Sequence, residues 1–270
     1  MVGLGIALAL ASAVFHAAWN ILLKTSGDPL RVSARAATWS AVIATPFALV
    51  AWIATGRPSL PPEAYALAVV SGGVELAYFQ LLSAAYRAGD VSTVYPVARG
   101  TAPVIAVLAG IGLLGQRLTT QELVGVALVI VGIWSARPPG RSRAVGLALA
   151  TGVAIATYTT IDQVGVHAGP FWLYAYAVFV SIAVWLAPFR GRAAVANALP
   201  VGALTLLAYA MVLTALSLAP LAIVAPLRET GIVVVGLWGV FRLGENARAT
   251  ARLAAASFVL AGVALLATAA

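Results

Sequence analysis

The chain of 270 residues contains no cysteine, and only 9% of its residues are charged. The lack of cysteine excludes disulfides, catalysis by a thiolate and metal sites built on thiolates. A soluble globular domain carries about a quarter charged residues, which cover its surface. Sixteen basic and eight acidic residues are too few for that purpose, whereas 62% of the residues are hydrophobic. These numbers indicate an integral, multi-pass protein of the cell (inner or plasma) membrane, because the outside of such a protein is apolar too.

Other absences narrow the class of function. The net charge is +8, but the basic residues stand singly or in small groups between apolar runs, which argues against a nucleic-acid partner. No P-loop occurs, so ATP hydrolysis by that motif is excluded. There is neither a His-Glu-x-x-His motif nor a pair of aspartates within a span, and the chain has only two histidines. The sequence therefore predicts no catalytic residues, no metal site and no cofactor.

The apolar runs are long enough to cross a membrane ten times. A spanning helix needs about 20 mostly apolar residues. Short segments that are polar or contain proline and glycine separate the runs, and none is long enough for an extramembrane domain. The sequence thus predicts an all-α polytopic membrane protein whose function lies inside the helical bundle. The predicted spans are 3–23, 32–54, 64–86, 91–115, 120–136, 144–163, 170–188, 195–217, 221–242 and 249–268.

The second half of the chain repeats features of the first. Arg99 and Arg228 are 129 positions apart, and so are Gly115 and Gly244. Each half holds five spans, and because five is odd the second half crosses the membrane in the opposite sense. Inverted repeats are typical of secondary transporters, which hold the substrate between the halves near the midplane. The predicted units are a first five-helix repeat at 1–137, a linker at 138–141 and a second five-helix repeat at 142–270.

Ionisable and aromatic residues inside the predicted spans mark a candidate site. A charge at mid-bilayer costs at least about 2.5–3.5 kcal/mol, so a charge that is kept there indicates a function. A rise of about 1.5 Å per residue places Glu75 and Arg228 at similar depths, where the two can pair. The candidate substrate-binding residues are His16, Trp19, Asn20, Glu75, Tyr78, Tyr95, Arg99, Tyr158, Tyr209, Arg228 and Glu229.

The chemistry of these side chains suits a small polar ligand. An arginine can bind a carboxylate or a phosphate through two hydrogen bonds. Glu75 can bind an amine or a coupling proton, and Trp19 and the tyrosines can stack on the ligand or cap a cation. Two structural interpretations stand beside these. Glu75 and Arg228 can form an ion pair that fixes helix register, and Arg99 can bond helix carbonyls freed by nearby prolines.

The distribution of basic residues predicts an orientation in the membrane. Twelve of the sixteen lie at the end of the bundle that holds the odd-numbered connections, and only Arg57 and Arg117 lie at the opposite end. Basic residues are enriched in cytoplasmic loops. The count therefore places the odd-numbered connections in the cytoplasm and both termini outside.

Three groups of residues resemble the EamA-type proteins of the drug/metabolite transporter superfamily. The first is Phe15-His-Ala-Ala-Trp-Asn20 followed by Lys24. The second is Ala85-x-x-x-Gly89-x-Val-x-x-Val94-x-Pro96 with Gly115-Gln116, where Gln116 replaces the glutamate usual in the family. The third is Ala225-Pro-Leu-Arg-Glu-Thr230 with Gly244-Glu245-Asn246.

This resemblance implies ten helices in two inverted five-helix repeats, with a central cavity lined largely by spans 1, 3, 4, 6, 8 and 9. It also implies transport of small metabolites, often export of amino acids. Members of the family are drawn with both termini in the cytoplasm, so the resemblance and the charge count give opposite orientations.

The leading hypothesis is a secondary transporter that exports a small polar metabolite, an amino acid or a related zwitterion, by rocking the two halves about a central site. A passive channel or a lipid-scaffolding bundle is the alternative, and an intramembrane enzyme is a third class. The predicted partners are a small-molecule substrate and the lipid bilayer. We expect the protein to act as a monomer or a dimer.

Overall fold

The computed structural model describes residues 1–24, 26–89, 91–135, 143–191, 197–231 and 249–269. These residues form ten α-helices and one short 3₁₀-helix, Ala187–Phe189. The predicted linker 138–141, the ninth span beyond 231 and the Gly244-Glu245-Asn246 motif lie outside the described residues. The helices are α1 (Val2–Lys24), α2 (Pro29–Ala54), α3 (Pro62–Ala88), α4 (Val91–Gly112), α5 (Thr120–Ser135), α6 (Arg143–Gly165), α7 (Phe171–Trp185), α8 (Ala198–Leu218), α9 (Leu221–Arg228) and α10 (Ala249–Ala269).

The helix starts follow from local sequence. The Asp28 carboxylate accepts hydrogen bonds from the backbone N–H groups of Leu30 and Arg31, and Pro29 occupies the first position of α2. Proline suits that position because its fixed φ fits a helix and its missing N–H would be unpaired there anyway. Pro62 starts α3 in the same way. These residues fix the ends of α2 and α3, two helices that carry the site described below.

The distribution of apolar and charged side chains between surface and interior is the reverse of that in a soluble protein. Large apolar side chains such as Phe47, Leu108 and Leu260 are exposed, whereas five charged residues, Glu75, Arg99, Asp162, Arg228 and Glu229, are buried. This distribution suits a protein surrounded by lipid. Five helical segments are long and apolar enough to cross a membrane on their own: Val2–Leu23, Pro29–Ala54, Pro62–Ala88, Arg143–Gly165 and Ala198–Leu218. Shorter apolar helical segments are Val97–Gly112, Thr120–Ser135, Phe171–Trp185 and Ala256–Ala269.

The contacts between helices repeat when the two halves are exchanged. Each helix of the first half has a counterpart five helices later, so that α1 corresponds to α6, α2 to α7 and α3 to α8. When every helix is replaced by its counterpart, the α1–α8 contact becomes α3–α6, the α2–α8 contact becomes α3–α7, and the α4–α6 contact becomes α1–α9. The contacts α2–α7, α4–α9 and α5–α10 each map onto themselves. The described helices are therefore arranged about an approximate twofold axis, as two equivalent five-helix units require.

Helices α5 and α10 approach each other closely on this axis. A Cβ atom placed on Gly125 would lie 3.0 Å from the carbonyl oxygen of Gly262, and one placed on Gly262 would lie 2.5 Å from the carbonyl oxygen of Gly125. Small residues at such positions let helix backbones pack tightly within a membrane. The two glycines therefore hold the closing helices of the two halves together.

Gln116, the residue that departs from the family pattern, caps a helix of the other half. Helix α9 starts after Pro220, which has no side-chain acceptor for the first N–H groups of the helix. The Gln116 side-chain oxygen accepts a hydrogen bond of 3.1 Å from the backbone N–H of Ala222. The connection between α4 and α5 thus supplies the acceptor that α9 lacks.

We expect Gln116→Ala to lower the free energy of unfolding by about 0.5–2 kcal/mol, because the N–H of Ala222 loses its acceptor. Gln116→Glu keeps an acceptor and adds negative charge at a helix N-terminus, so stability should stay equal or rise. Thermal unfolding in detergent micelles measures both changes, with the exposed Gln80→Ala as the control. Equal losses in the alanine and glutamate variants would contradict the capping role.

Candidate substrate cavity and buried charge cluster

Helix α9 ends at Arg228, in the middle of the predicted ninth span. Pro226 lies inside the helix and cannot donate a hydrogen bond to the carbonyl four residues before it. The N–H groups of Glu229 and Thr230 instead bond the carbonyls of Pro226 and Leu227, three residues back. This tighter turn places Arg228 and Glu229 at the end of a helix in the interior of the protein.

Arg99 and Arg228 share the carboxylate of Glu229. The Nη1 atom of Arg99 lies 3.0 Å from Oε2 and 3.1 Å from Oε1, and the Nε atom of Arg228 lies 3.5 Å from Oε1. Arg228 also donates hydrogen bonds to the hydroxyls of Tyr158 and Thr159 on α6. All three charged side chains are buried. Since a buried charge is tolerated when it is paired and hydrogen-bonded, these groups form a stable cluster that joins α4, α6 and α9.

The predicted pairing of Glu75 with Arg228 is wrong. Arg228 uses Glu229 as its acidic partner, and Glu75 forms no ion pair with any described residue. Similar depth in the membrane did not bring the two groups together. The break of α9 after Arg228 places the next residue along the chain, Glu229, within reach of the guanidinium.

A cavity lies between α1, α2, α3, α7 and α8. The centre of a water molecule can occupy about 20 Å³ of it, which is room for about one water. Three of the predicted substrate residues, Trp19, Glu75 and Tyr209, belong to its wall. The polar wall consists of Trp19, Ser33, Ser40, Glu75, Thr205 and Tyr209.

Three buried polar atoms of this wall have no hydrogen-bond partner among the described residues. They are Nε1 of Trp19, Oγ of Ser33 and Oε1 of Glu75. The exposed fractions of these side chains are 3%, 3% and 5%. Leaving a buried polar group unpaired costs about 1–3 kcal/mol. Three residues of this one wall therefore carry a buried polar atom without a partner among the described residues, which calls for an explanation.

An aromatic layer separates the cavity from the charge cluster. The ring of Tyr158 lies 5.9 Å from the rings of Tyr78 and Tyr209. The guanidinium of Arg228 lies 5.5 Å from the ring of Tyr158 and 5.9 Å from that of Tyr209. Arg99 lies 5.6 Å from the ring of Tyr95 in the same manner. Cation–π attraction therefore adds to the ion pairs that hold both arginines.

The expected single cavity lined by spans 1, 3, 4, 6, 8 and 9 is divided in this conformation. The cavity described above uses α2 and α7 in place of α4, α6 and α9. Arg228 and Glu229 line a separate crevice between α4, α6 and α9 that has no room for a water molecule. The rings of Tyr158 and Tyr209 and the short ion pairs keep the two spaces apart.

His16 and Asn20 make their hydrogen bonds largely within α1. His16 Nδ1 lies 3.0 Å from the carbonyl oxygen of Ser12, and Asn20 donates to the carbonyl of His16 at 2.8 Å. Asn20 also accepts a long hydrogen bond from Tyr86. Both residues are buried beside Trp19 but do not belong to the cavity wall.

Sequence reasoning missed Ser33, and it placed Asp162 near the end of the sixth span without counting it among the substrate-binding residues. Ser33 lies near the start of α2, where nothing in the sequence distinguishes it from other serines. Asp162 of α6 is fully buried and accepts hydrogen bonds from Ser71, Tyr174 and Tyr209. An acidic residue within a predicted span was a usable signal for Asp162, whereas the contact with Tyr174 depends on how α7 folds back.

The ring of Tyr174 reaches Asp162 because α6 ends in glycine. A Cβ atom on Gly165 would lie 2.0 Å from Cζ of Tyr174, so no other residue leaves room for the ring. The hydroxyl of Tyr174 then donates to Oδ1 of Asp162 at 2.9 Å.

The described helices form a bundle of two related halves with a buried polar centre, an architecture that secondary transporters use. A model of the EamA-like transporter family matches residues 3–136, and the chain belongs to that family. The family has ten membrane-spanning helices in two inverted repeats, so the predicted fold class is confirmed. It is a family of transporters and not of enzymes.

A solved structure supports the same fold over nearly the whole chain. It is described as "Crystal structure of protein" and has a TM-score of 0.74 at 16% sequence identity, covering 98% of this chain and 99% of the other. At that identity the likeness concerns the fold alone. The comparison with curated proteins finds no match.

Proposed function

We propose that this EamA-like transporter moves a small polar metabolite, an amino acid or a related zwitterion, out of the cell by alternating access about the cavity of Trp19, Ser33 and Glu75. The observation that carries the proposal is the convergence of three unpaired, buried polar atoms on that cavity. Such a site suits a ligand that both donates and accepts hydrogen bonds.

The two kinds of polar atom suit the two ends of a zwitterion. The Glu75 carboxyl can accept hydrogen bonds from an ammonium group or exchange that group for a coupling proton. The indole N–H of Trp19 and the hydroxyl of Ser33 can donate to a carboxylate, and hydrogen bonds to charged groups are the stronger ones. Arg99 and Arg228, which the sequence offered as carboxylate ligands, already bind Glu229.

The buried charges favour a cationic group at Glu75. The described interior holds three carboxyl groups, those of Glu75, Asp162 and Glu229, but only two guanidinium groups, those of Arg99 and Arg228. When all five are ionised the interior carries one excess negative charge. A substrate ammonium, or a proton, at Glu75 offsets that charge, and this is the physical basis for coupling substrate to protons at this residue.

The remaining wall favours a substrate with a small apolar side chain. Phe79, Phe179, Ile182 and Val201 form part of the cavity wall as well. Ligand sites commonly combine such apolar walls with a few polar groups that fix orientation. An aliphatic amino acid such as leucine is therefore the first probe to use.

The size of the cavity requires a conformational change. Room for about one water cannot hold an amino acid, so this conformation is closed around the site. Ser33 lies four residues, roughly 6 Å, from the start of α2, and Glu75 lies 13 residues, roughly 20 Å, from the end of α3. These helix ends share one side of the membrane, so the residues of the cavity wall lie between about 6 and 20 Å from that side. Opening of α2 and α8 toward that side would admit the substrate.

Uptake into proteoliposomes tests the proposal. We expect saturable uptake of labelled leucine that is inhibited by unlabelled leucine and by 3-methylbutylamine, which lacks the carboxylate. Inhibition by 4-methylpentanoate, which lacks the amine, should be much weaker, because that acid brings negative charge to Glu75. A flux that rises linearly with leucine concentration, or no leucine flux together with no flux of other labelled amino acids, would contradict the proposed function.

A further inference from the structure

Asp162 is the buried carboxylate that has neither an arginine partner nor a place in the cavity wall. Ser71 donates to Oδ1 at 2.7 Å, Tyr174 donates to the same oxygen at 2.9 Å, and Tyr209 donates to Oδ2. No described basic side chain lies within ion-pair distance of it. Its charge is therefore held by three hydroxyl groups alone.

The three hydroxyl donors come from three helices. Tyr174 and Tyr209 belong to α7 and α8, in the same half of the protein as Asp162. Ser71 belongs to α3, in the other half, and the α3–α6 contact is one that the approximate twofold axis relates to α1–α8. The hydrogen bond from Ser71 to Asp162 therefore joins the two halves, whereas the two tyrosine bonds lie within one half.

We propose that Asp162, together with the hydroxyls of Ser71, Tyr174 and Tyr209, forms a proton-binding site separate from Glu75, and that a proton bound there releases α3 from α6. The proposal rests on the transport function proposed above, because it assigns the proton a role in opening the bundle. It differs from the role of Glu75, which faces the substrate.

The loss of negative charge explains the release. An ionised carboxylate has about four acceptor sites, of which three are used here. A proton takes a fourth site and removes the charge, so each bond from a hydroxyl becomes weaker. Ser71 has an alternative, since a serine within a helix can donate to the carbonyl four residues back in its own helix. The tyrosine hydroxyls have no such backbone acceptor in their own helices, so the bond from Ser71, which joins the halves, is the one that is given up.

The surroundings favour a proton over a metal ion. Asp162 belongs to neither of the two spaces between helices, and its oxygens are in direct contact with hydroxyls. A metal ion needs a shell of ligands around a space of its own, whereas a proton needs none. Charged and titratable groups on the helices around α6 include Glu75, Tyr78 and Tyr86 of α3, Tyr95 and Arg99 of α4, Tyr174 of α7, Tyr209 of α8 and Arg228 of α9, with Glu229 directly after α9 and Tyr158 on α6 itself.

Tyr209 connects this site to the cavity. Its hydroxyl donates to Asp162, and its side chain is part of the cavity wall that also contains Glu75. Movement of α3 relative to α6 changes the position of Glu75 as well, because Ser71 and Glu75 are one helical turn apart on α3. A proton at Asp162 is thus able to change access to the cavity without touching the substrate.

The absence of cysteine from the chain allows a direct test. Ala37→Cys places one thiol in the cavity wall, and Ser59→Cys places one in the exposed connection between α2 and α3. Methyl methanethiosulfonate labels each purified protein in proteoliposomes, and the Ser59 variant corrects for the ionisation of the thiol itself. We expect the corrected labelling rate of the cavity thiol to rise at least about fivefold from mildly alkaline to mildly acidic pH, which is about 1 kcal/mol.

Two variants, each of which removes one hydroxyl donor to Oδ1 of Asp162, distinguish a proton-controlled link between the halves from a purely structural role of these hydrogen bonds. Ser71→Ala breaks the link between the halves, so the cavity thiol should label rapidly at both pH values. Tyr174→Phe breaks a link within one half, so labelling should stay slow at alkaline pH and still rise at acidic pH, with a shifted midpoint because Asp162 has lost one donor. Asp162→Asn cannot bind the proton and resembles the protonated form in donating a hydrogen bond, so labelling should be rapid and independent of pH.

Several outcomes would overturn the proposal. The first is a labelling rate of the cavity thiol that does not depend on pH in the parent protein. The second is a pH dependence of that rate that Asp162→Asn leaves unchanged or that Glu75→Gln abolishes. The third is an equal change of the labelling rate in Ser71→Ala and Tyr174→Phe. If Asp162→Asn does not fold, the labelling rates of Ser71→Ala and Tyr174→Phe still show whether the bond between the halves controls access to the cavity. The labelling assay contains no substrate. A negative labelling result therefore says nothing against leucine transport, and a negative leucine transport result says nothing against the labelling result.

Discussion

Replacing Glu229 by glutamine is expected to lower the free energy of unfolding by about 3–5 kcal/mol, the cost of removing one partner from a buried ion pair. Glutamine keeps the size of the side chain and one acceptor oxygen but removes the charge. Arg99 and Arg228 would then lie in the interior with no acid beside them. The large effect follows from the unpaired charges that remain and does not measure the strength of the original pairs.

Denaturation in mixed detergent micelles measures this loss. Glu63→Gln makes the same chemical change in the exposed first turn of α3 and should shift stability by less than about 0.5 kcal/mol. A double-mutant cycle with Arg99→Met should recover part of the loss, because the second change removes one of the unpaired charges. A Glu229→Gln protein as stable as the Glu63→Gln protein would show that the cluster is not a stabilising element.

The second large effect concerns binding. Glu75→Gln should weaken the binding of leucine and of 3-methylbutylamine by about 10- to 150-fold, since a hydrogen bond to a charged group contributes about 1.5–3 kcal/mol. The amide can still accept a hydrogen bond from an ammonium group but no longer offsets its charge. A pH gradient should also no longer drive accumulation of leucine by the variant, because glutamine exchanges no proton for the substrate, whereas access to the cavity should still depend on pH through Asp162.

Thermal stabilisation by added ligand measures binding without transport, since a ligand that binds the folded state alone raises its stability. Glu63→Gln again serves as the control and should bind both compounds as the parent does. The prediction is wrong if Glu75→Gln retains full stabilisation by the amine, or if a pH gradient still drives accumulation of leucine by the variant. In the first case Glu75 would be a buried structural carboxyl.

The spans were predictable because each depends on a local property. A run of apolar residues long enough for a membrane has few alternatives, and the described helices begin and end close to the predicted limits. The ninth span is the instructive case. Pro226 was visible in the sequence, but its presence alone does not say that the helix stops at Arg228 and not earlier or later. That outcome depends on the partners that Arg228 and Glu229 find on α4 and α6.

The site was predictable as a set of residues but less so as a set of contacts. An ionisable group within an apolar span is an expensive feature, and this argument selected Glu75, Arg99, Arg228 and Glu229 correctly as buried residues. Depth along a helix does not determine direction around it, so the partner of Arg228 was not predictable. The hydroxyls around Asp162 come from residues as far apart in sequence as Ser71 and Tyr209, and no local pattern brings them together.

Arg99 and Arg228 occupy equivalent positions of the two halves, but the residue equivalent to Glu229 is Gly100. Two copies of the first half, assembled as a dimer about the same axis, would bring two guanidinium groups together with no acid to neutralise them. A fragment ending after α5 should therefore fail to self-associate into a stable bundle, whereas it should assemble with a co-expressed second fragment that supplies the acid. The two halves are therefore not interchangeable, because the acid that neutralises both arginines is present in the second half alone of these two equivalent positions.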